Sequence, residues 1–67
     1  MKNTRKINSD HIIYHGWIIH IDETRDIMDW IIRKGLNFIE TTETSNGNEK
    51  FNVYMNNNST LAVAIPA

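Results

Sequence analysis

Cysteine is absent from this 67-residue chain, which excludes disulfide staples and thiolate metal sites together. Proline occurs once, at Pro66, and glycine three times, so backbone breaks are few and each is informative. No stretch approaches the roughly 20 apolar residues that span a bilayer. The basic start, Met1-Lys2-Asn3-Thr4-Arg5-Lys6, looks like the head of a secretion signal. The apolar run behind it is broken by Asp10, His11, His15 and His20, and no small-residue cleavage site follows. The expectation is a cytoplasmic protein that needs no membrane and no cofactor. A chain this short buries only about 60% of the surface its unfolded form exposes. Without staples it must rely on close packing or on association, so a homodimer is an open expectation.

Charge is scarce and uneven. Seven lysines and arginines meet eight acids, for a net −1. Residues 1–9 hold Lys2, Arg5 and Lys6 and no acid; residues 10–67 hold all eight acids against Arg25, Arg33, Lys34 and Lys50. This reads as a flexible basic arm over 1–9 and one domain over 10–67. Nucleic-acid binders more often concentrate base on one face. The chain is rich in isoleucine and asparagine, whose codons are A/T-heavy, and an AT-rich bacterium, phage or mobile element is the matching source.

The expected fold is α+β: a single small domain in β-α-β-β-β order, with one amphipathic helix packed on a short, mainly antiparallel sheet. Residues 11–21 are β-branched and aromatic, as in a strand, but both parities are apolar. Gly16 marks either a bulge in one strand or a tight turn at His15-Gly16, and the single bulged strand is preferred. Asp22 is placed to N-cap the helix, with Glu23 and Asp26 in its first turn. Ile27, Met28, Ile31 and Ile32 form its buried stripe, Asp29 and Arg33 an i, i+4 pair, and Gly35 the left-handed stop. Asn46-Gly47 suits a two-residue turn that sets Glu43 opposite Lys50, Thr42 opposite Phe51, Glu40 opposite Val53, Ile39 opposite Tyr54 and Phe38 opposite Met55. Only Glu40 facing Val53 sits awkwardly. Asn56-Asn57-Asn58-Ser59 makes a further turn, and Leu61, Val63 and Ile65 alternate along a last strand that Pro66 ends.

Catalytic and metal-binding patterns are thin. His11 and His15 share a strand parity but stand about 13 Å apart on an extended strand, too far to chelate one ion. His20 takes the other parity. Ser9, Ser45 and Ser59 lie in turns or the arm and match no nucleophile pattern. Trp30 is the odd residue: at 100° per position it falls outside the apolar stripe, between Asp26, Lys34 and Glu23. It either packs against the first strand or the arm, or it anchors a partner. Trp17 reads as core. Asn58-Ser59-Thr60 matches a glycosylation sequon, a pattern common by chance in an Asn-rich chain.

From residue 22 onward, the α-β-β-β order and the ending Val63-Ala64-Ile65-Pro66 resemble the small HicA-type toxin ribonucleases, which have a double-stranded-RNA-binding-like fold. The resemblance is one of topology. The Gly-Ser-His stretch that bears that family's catalytic histidine has no counterpart between Thr44 and Phe51, and the final helix is missing.

Three functional expectations follow. The first is a non-catalytic protein-binding module, such as a phage or mobile-element inhibitor of a host protein, anchored by Trp30 with Glu23, Asp26, Asp29 and Arg33 around it. The second is an RNA- or DNA-binding domain using Lys2, Arg5 and Lys6 on phosphates, with Tyr14, Trp17 or Tyr54 stacking on bases. The third is a small ribonuclease using His11, His15 or His20, which needs a second acid/base group that the sequence does not name.

Overall fold

Residues 11–21 fold back on themselves at His15-Gly16. Both turn residues have left-handed backbone, φ 48° at His15 and 84° at Gly16, as a two-residue hairpin turn requires. The computed structural model describes residues 4–23, 27–45, 47 and 49–67. It contains six strands, β1 (Thr4–Asn8), β2 (His11–Tyr14), β3 (Trp17–Ile21), β4 (Asn37–Glu43), β5 (Lys50–Met55) and β6 (Ala62–Pro66), and one short helix, α1 (Met28–Arg33). They form a single mixed sheet in the order β1-β2-β3-β6-β5-β4.

This overturns the α+β expectation. The chain is mostly strand, its sheet curls into a half-barrel, and the main core does not lie under a helix. The same finding removes the basis for likeness to the toxin ribonucleases. The single bulged strand is corrected to a hairpin, and the reason lies in its parity. With Tyr14 opposite Trp17, residues 12, 14, 17, 19 and 21 face one way and 11, 13, 18 and 20 the other. Ile12, Tyr14, Ile19 and Ile21 are buried, whereas Ile18 and His20 are exposed. Read as one strand, the two sets mix, and alternation vanishes.

The segment read as a flexible arm is, from Thr4 on, strand β1, antiparallel to β2. Lys2 lies outside the described residues. The β4–β5 hairpin keeps the expected register from Glu43↔Lys50 to Glu40↔Val53, then shifts by one, so that Phe38 meets Tyr54 and Asn37 meets Met55. Ile39 is the extra residue of that bulge. The turn closes through Gly47 N–H donating to the Thr44 carbonyl at 2.8 Å, while Asn46 lies outside the described residues. In the Asn56 turn the left-handed residue is Ser59, φ 54°, not an asparagine.

Curling gives the sheet a filled inside. Ile12, Tyr14, Ile19, Ile21, Phe51, Val53, Met55 and Ala64 form one buried cluster. The outer strands meet at one end, where Ser45 N–H donates to the Thr4 carbonyl at 2.9 Å and the hydroxyls of Thr4 and Thr42 share a hydrogen bond. Glu40 does face Val53, and its carboxylate accepts a 2.7 Å hydrogen bond from the Tyr14 hydroxyl. Burial first, then this bond and the Glu40 charge, push the Tyr14 pKa up to about 12.

A smaller cluster lies outside the curl: Ile27, Ile31, Leu36 and Val63, with Trp30, Tyr54, Leu61 and Ile65 packed against it. The strand β6 is therefore covered on both sides, Val63 outward and Ala64 inward. The helix is shorter than expected, and Asp22 does not cap it: its N–H donates to the Ala64 carbonyl at 2.9 Å, at the end of the sheet. Residues 24–26, Asp26 among them, lie outside the described residues. The stripe is also rotated. Ile27 and Ile31 are buried and Trp30 is half-buried, but Met28 and Ile32 are exposed, Ile32 by 70%. The stop is as expected. Gly35, φ 71°, donates to Ile32 O and Leu36 N–H to Ile31 O, the paired bonds of a Schellman motif with Leu36 and Ile31 packed together.

The accessible surface is 4548 Å², against about 4,400 Å² for a folded monomer of 7.8 kDa. The chain therefore carries little surface beyond that of a self-sufficient fold.

Candidate functional site

The outer face carries an aligned row of side chains set by register: His11, His20, Val63, Tyr54 and Phe38, one from each of five strands. Its ends are ring pairs. His11 and His20 meet edge-on with centroids 5.4 Å apart, and Phe38 and Tyr54 meet at 5.6 Å. The centre, Val63, lies under α1. A six-residue helix is about 9 Å long and cannot cover both flanks of a row this wide.

On the histidine side the uncovered flank becomes a cleft. Strands β3 and β6 are parallel and pair only at His20↔Val63 and Ile21↔Ala64. Ahead of that, Asn56 draws the incoming chain aside. Its side-chain oxygen accepts the N–H groups of Thr60 and Leu61, at 2.8 and 3.2 Å, and its backbone N–H donates to Leu61 O at 3.1 Å. Trp17, Ile18 and Ile19 are thus left, among the described residues, without a paired strand on the side away from β2. Two lobes open there. One, of about 430 Å³, is lined by His20, Asp22, Ile27, Trp30, Leu61 and Val63, with Ala62. The other, of about 330 Å³, is lined by His11, Trp17, Ile18, His20 and Thr60, and shares Leu61 and Ala62. Volumes of this order suit a few side chains or a small ligand.

Trp30 is half-buried on the outer cluster and forms a wall of the first lobe, so its place is neither a free anchor nor closed core. Trp17, expected in the core, is 45% exposed and belongs to the second lobe. Glu23 is exposed and adjoins Asp22. Asp29 and Arg33 are exposed on α1, but Arg33 Nε donates weakly to the Asp29 backbone carbonyl, at 3.4 Å, in place of a carboxylate pair. The helix therefore presents no organised acidic patch among its described residues. Of the basic residues, Arg5 is exposed opposite Ile13, and Lys6 pairs with Glu49 at 3.2 Å. Tyr14 faces inward and is closed to stacking, and Tyr54 is half-buried beside the helix.

The hairpin brings together two histidines that strand parity set apart. His11 Nδ1 also lies 3.2 Å from Asn8 Oδ1. His15 stays in the turn, edge-on to Tyr14 at 4.4 Å. Among the described residues no group of three or more histidines and carboxylates is arranged to hold a metal, and no helix is long and apolar enough to cross a membrane. Sequence reasoning names His20 only as a ribonuclease candidate and misses its pairing with His11, along with Asp22 and Leu61 as site residues. Reading His15-Gly16 as a turn would have revealed that pairing. The chain matches no protein-family model, and neither a curated protein nor a solved structure is similar to it.

Proposed function

We propose that this chain is a small, non-catalytic protein-binding module that acts stoichiometrically, with the cleft between β3, the start of β6 and α1 as its contact surface. The cleft itself carries this reading. Both tryptophans line it, and so does Ile18, 67% exposed where β3 has not yet met β6. Rigid aromatic walls around a desolvated pocket are the usual make-up of an interface hot spot. A stoichiometric module of this kind suits an inhibitor that occludes a host protein. Trp30 keeps its place as a contact residue, as a wall and not as a projecting anchor, and Glu23 supplies charge at the rim. Among the described lining residues a phosphodiester would find neither lysine nor arginine, which weighs against nucleic acid and against ribonuclease chemistry at the paired histidines.

The test is capture of partners from bacterial lysate by the tagged chain, with and without nuclease, alongside Ile18→Glu and Ile32→Glu. Both substitutions are at exposed positions and should leave the fold intact. A protein should be retained after nuclease, lost with Ile18→Glu and kept with Ile32→Glu. Capture indifferent to Ile18→Glu, or partners that vanish with nuclease, would reject this reading.

A further inference from the structure

The turn at His15-Gly16 fixes how two of the three histidines meet. Tyr14 and Trp17 close a two-residue hairpin as a hydrogen-bonded pair, and at the other end Ile21 N–H donates to Asp10 O at 2.7 Å. Alternating inward from either end, His11↔His20 is a non-hydrogen-bonded pair, the kind in which facing side chains stand closest. Their ring centroids are 5.4 Å apart. A zinc ion holds imidazole nitrogen at about 2.0–2.1 Å, which puts each ring centre about 3.2 Å from the ion. Two rings at the tetrahedral angle then have centres about 5.2 Å apart, whereas the right angle that suits copper(II) brings them to about 4.5 Å. The observed spacing is the tetrahedral one.

The tautomer of His11 is set as well. Asn8 Oδ1 accepts the Asp10 backbone N–H at 2.8 Å, which identifies that atom as the oxygen, and it lies 3.2 Å from His11 Nδ1. An acceptor there calls for the ring proton on Nδ1 and leaves the Nε2 lone pair for a metal. A histidine whose second nitrogen donates in this way is the usual form of a metal ligand. His20 is exposed, and its ring turns about a bond with broad preferences, so it can bring a nitrogen to the same point. We infer that His11 and His20 together bind one Zn²⁺ ion on the outer face of the β2–β3 hairpin, with Asn8 as the positioning residue. The two remaining tetrahedral positions are left to water.

The experiment is NMR titration of the ¹⁵N-labelled full chain with zinc chloride, following the imidazole signals of all three histidines, with magnesium chloride as the control. Zinc should shift His11 and His20 together, saturate at one ion per chain and leave His15 in place. Magnesium, which takes oxygen donors, should shift none of them. His20→Gln, checked for an unchanged thermal midpoint, should weaken zinc binding at least tenfold, and His15→Asn should bind as the parent does. Asn8→Ala should weaken it about tenfold, whereas Asn8→Asp, which restores the acceptor, should bind at least as tightly as the parent. Shifts that do not saturate, a response at only one of the two histidines, or undiminished affinity in His20→Gln would overturn the site; undiminished affinity in Asn8→Ala would remove Asn8 from it. Zinc titration involves no partner protein, so its result is independent of the capture experiment.

Discussion

The two sides of this sheet are finished to different degrees. The inner side closes on itself: eight buried residues fill the curl, and polar groups from both outer strands seal the end where β1 meets β4. The outer side is closed only in the middle, where α1 and Leu36 cover Val63. To one side of the helix lies the cleft; to the other, Phe38 and Ile39 are exposed at 56% and 46%. Stability should therefore reside inside and recognition outside. Substitutions that act on one should spare the other.

The sharpest way to break that comparison is Phe51→Ala against Ile18→Ala. Phe51 is 2% exposed at the centre of the inner cluster. Removing it should cost about 3–5 kcal/mol, from lost transfer energy plus the cavity left behind. That is a large part of the stability available to a domain this small, so the variant should be substantially unfolded at 37 °C. Ile18→Ala should cost less than about 0.5 kcal/mol, since most of the side chain is already in water. Urea unfolding of both variants checks the contrast, and comparable losses would mean that the outer face carries stability too.

The next effect concerns the polar seal and depends on pH. Tyr14 holds its proton to about pH 12 in the folded chain, whereas an unfolded tyrosine releases it near 10. Below pH 10 both states are protonated and the group leaves stability independent of pH. Between 10 and 12 the unfolded state loses its proton first, so stability falls as pH rises, by at most about 2–3 kcal/mol. Tyr14→Phe should abolish that fall. At neutral pH it should cost about 1–2 kcal/mol, because the Glu40 carboxylate loses its donor. Urea midpoints from pH 8 to 12 for both chains test this. A parallel decline in the two would place the pH sensitivity elsewhere.

How much of this was legible in the sequence follows the same division. Local chemistry could be read directly: Gly35 stops the helix, and the β4–β5 pairing is as expected from Glu43 to Glu40. Beyond Glu40 the register depended on a bulge at Ile39 that no local signal announces. The 11–21 segment was misread because its turn is made by His15 and Gly16, and histidine does not mark a left-handed position as asparagine does. That one choice hid one of the two additional strands, the inward row and the pairing of His11 with His20; the other strand, β1, was hidden by reading residues 1–9 as an arm. The helix was misjudged because its stripe was assigned from the helical spacing of apolar residues alone. Ile32 and Met28 are as apolar as Ile31, but a helix this short can bury only the side that meets β6. The cleft was the least legible feature of all. It depends on two strands parting beyond two paired residues, and long-range spacing of that kind leaves no periodic trace.

The smallest expected effect separates the buried seal from its exposed neighbour. Lys6 on β1 and Glu49 in the β4–β5 connection pair at 3.2 Å, with 34% and 44% of their side chains exposed. By position this pair belongs to the same seam as Thr4, Thr42, Tyr14 and Glu40. By solvation it belongs to the surface, where water and salt screen the attraction and two long side chains must be ordered to hold it. Lys6→Met should therefore cost no more than about 0.5 kcal/mol, and the difference from the parent chain should vanish at 1 M salt. Thr4→Val, which removes one hydroxyl of the buried pair and leaves the other without its partner, should cost about 1–3 kcal/mol at either salt concentration. If salt abolished both differences, the seam would be held by surface charge, and the inner side would be less closed than its packing implies.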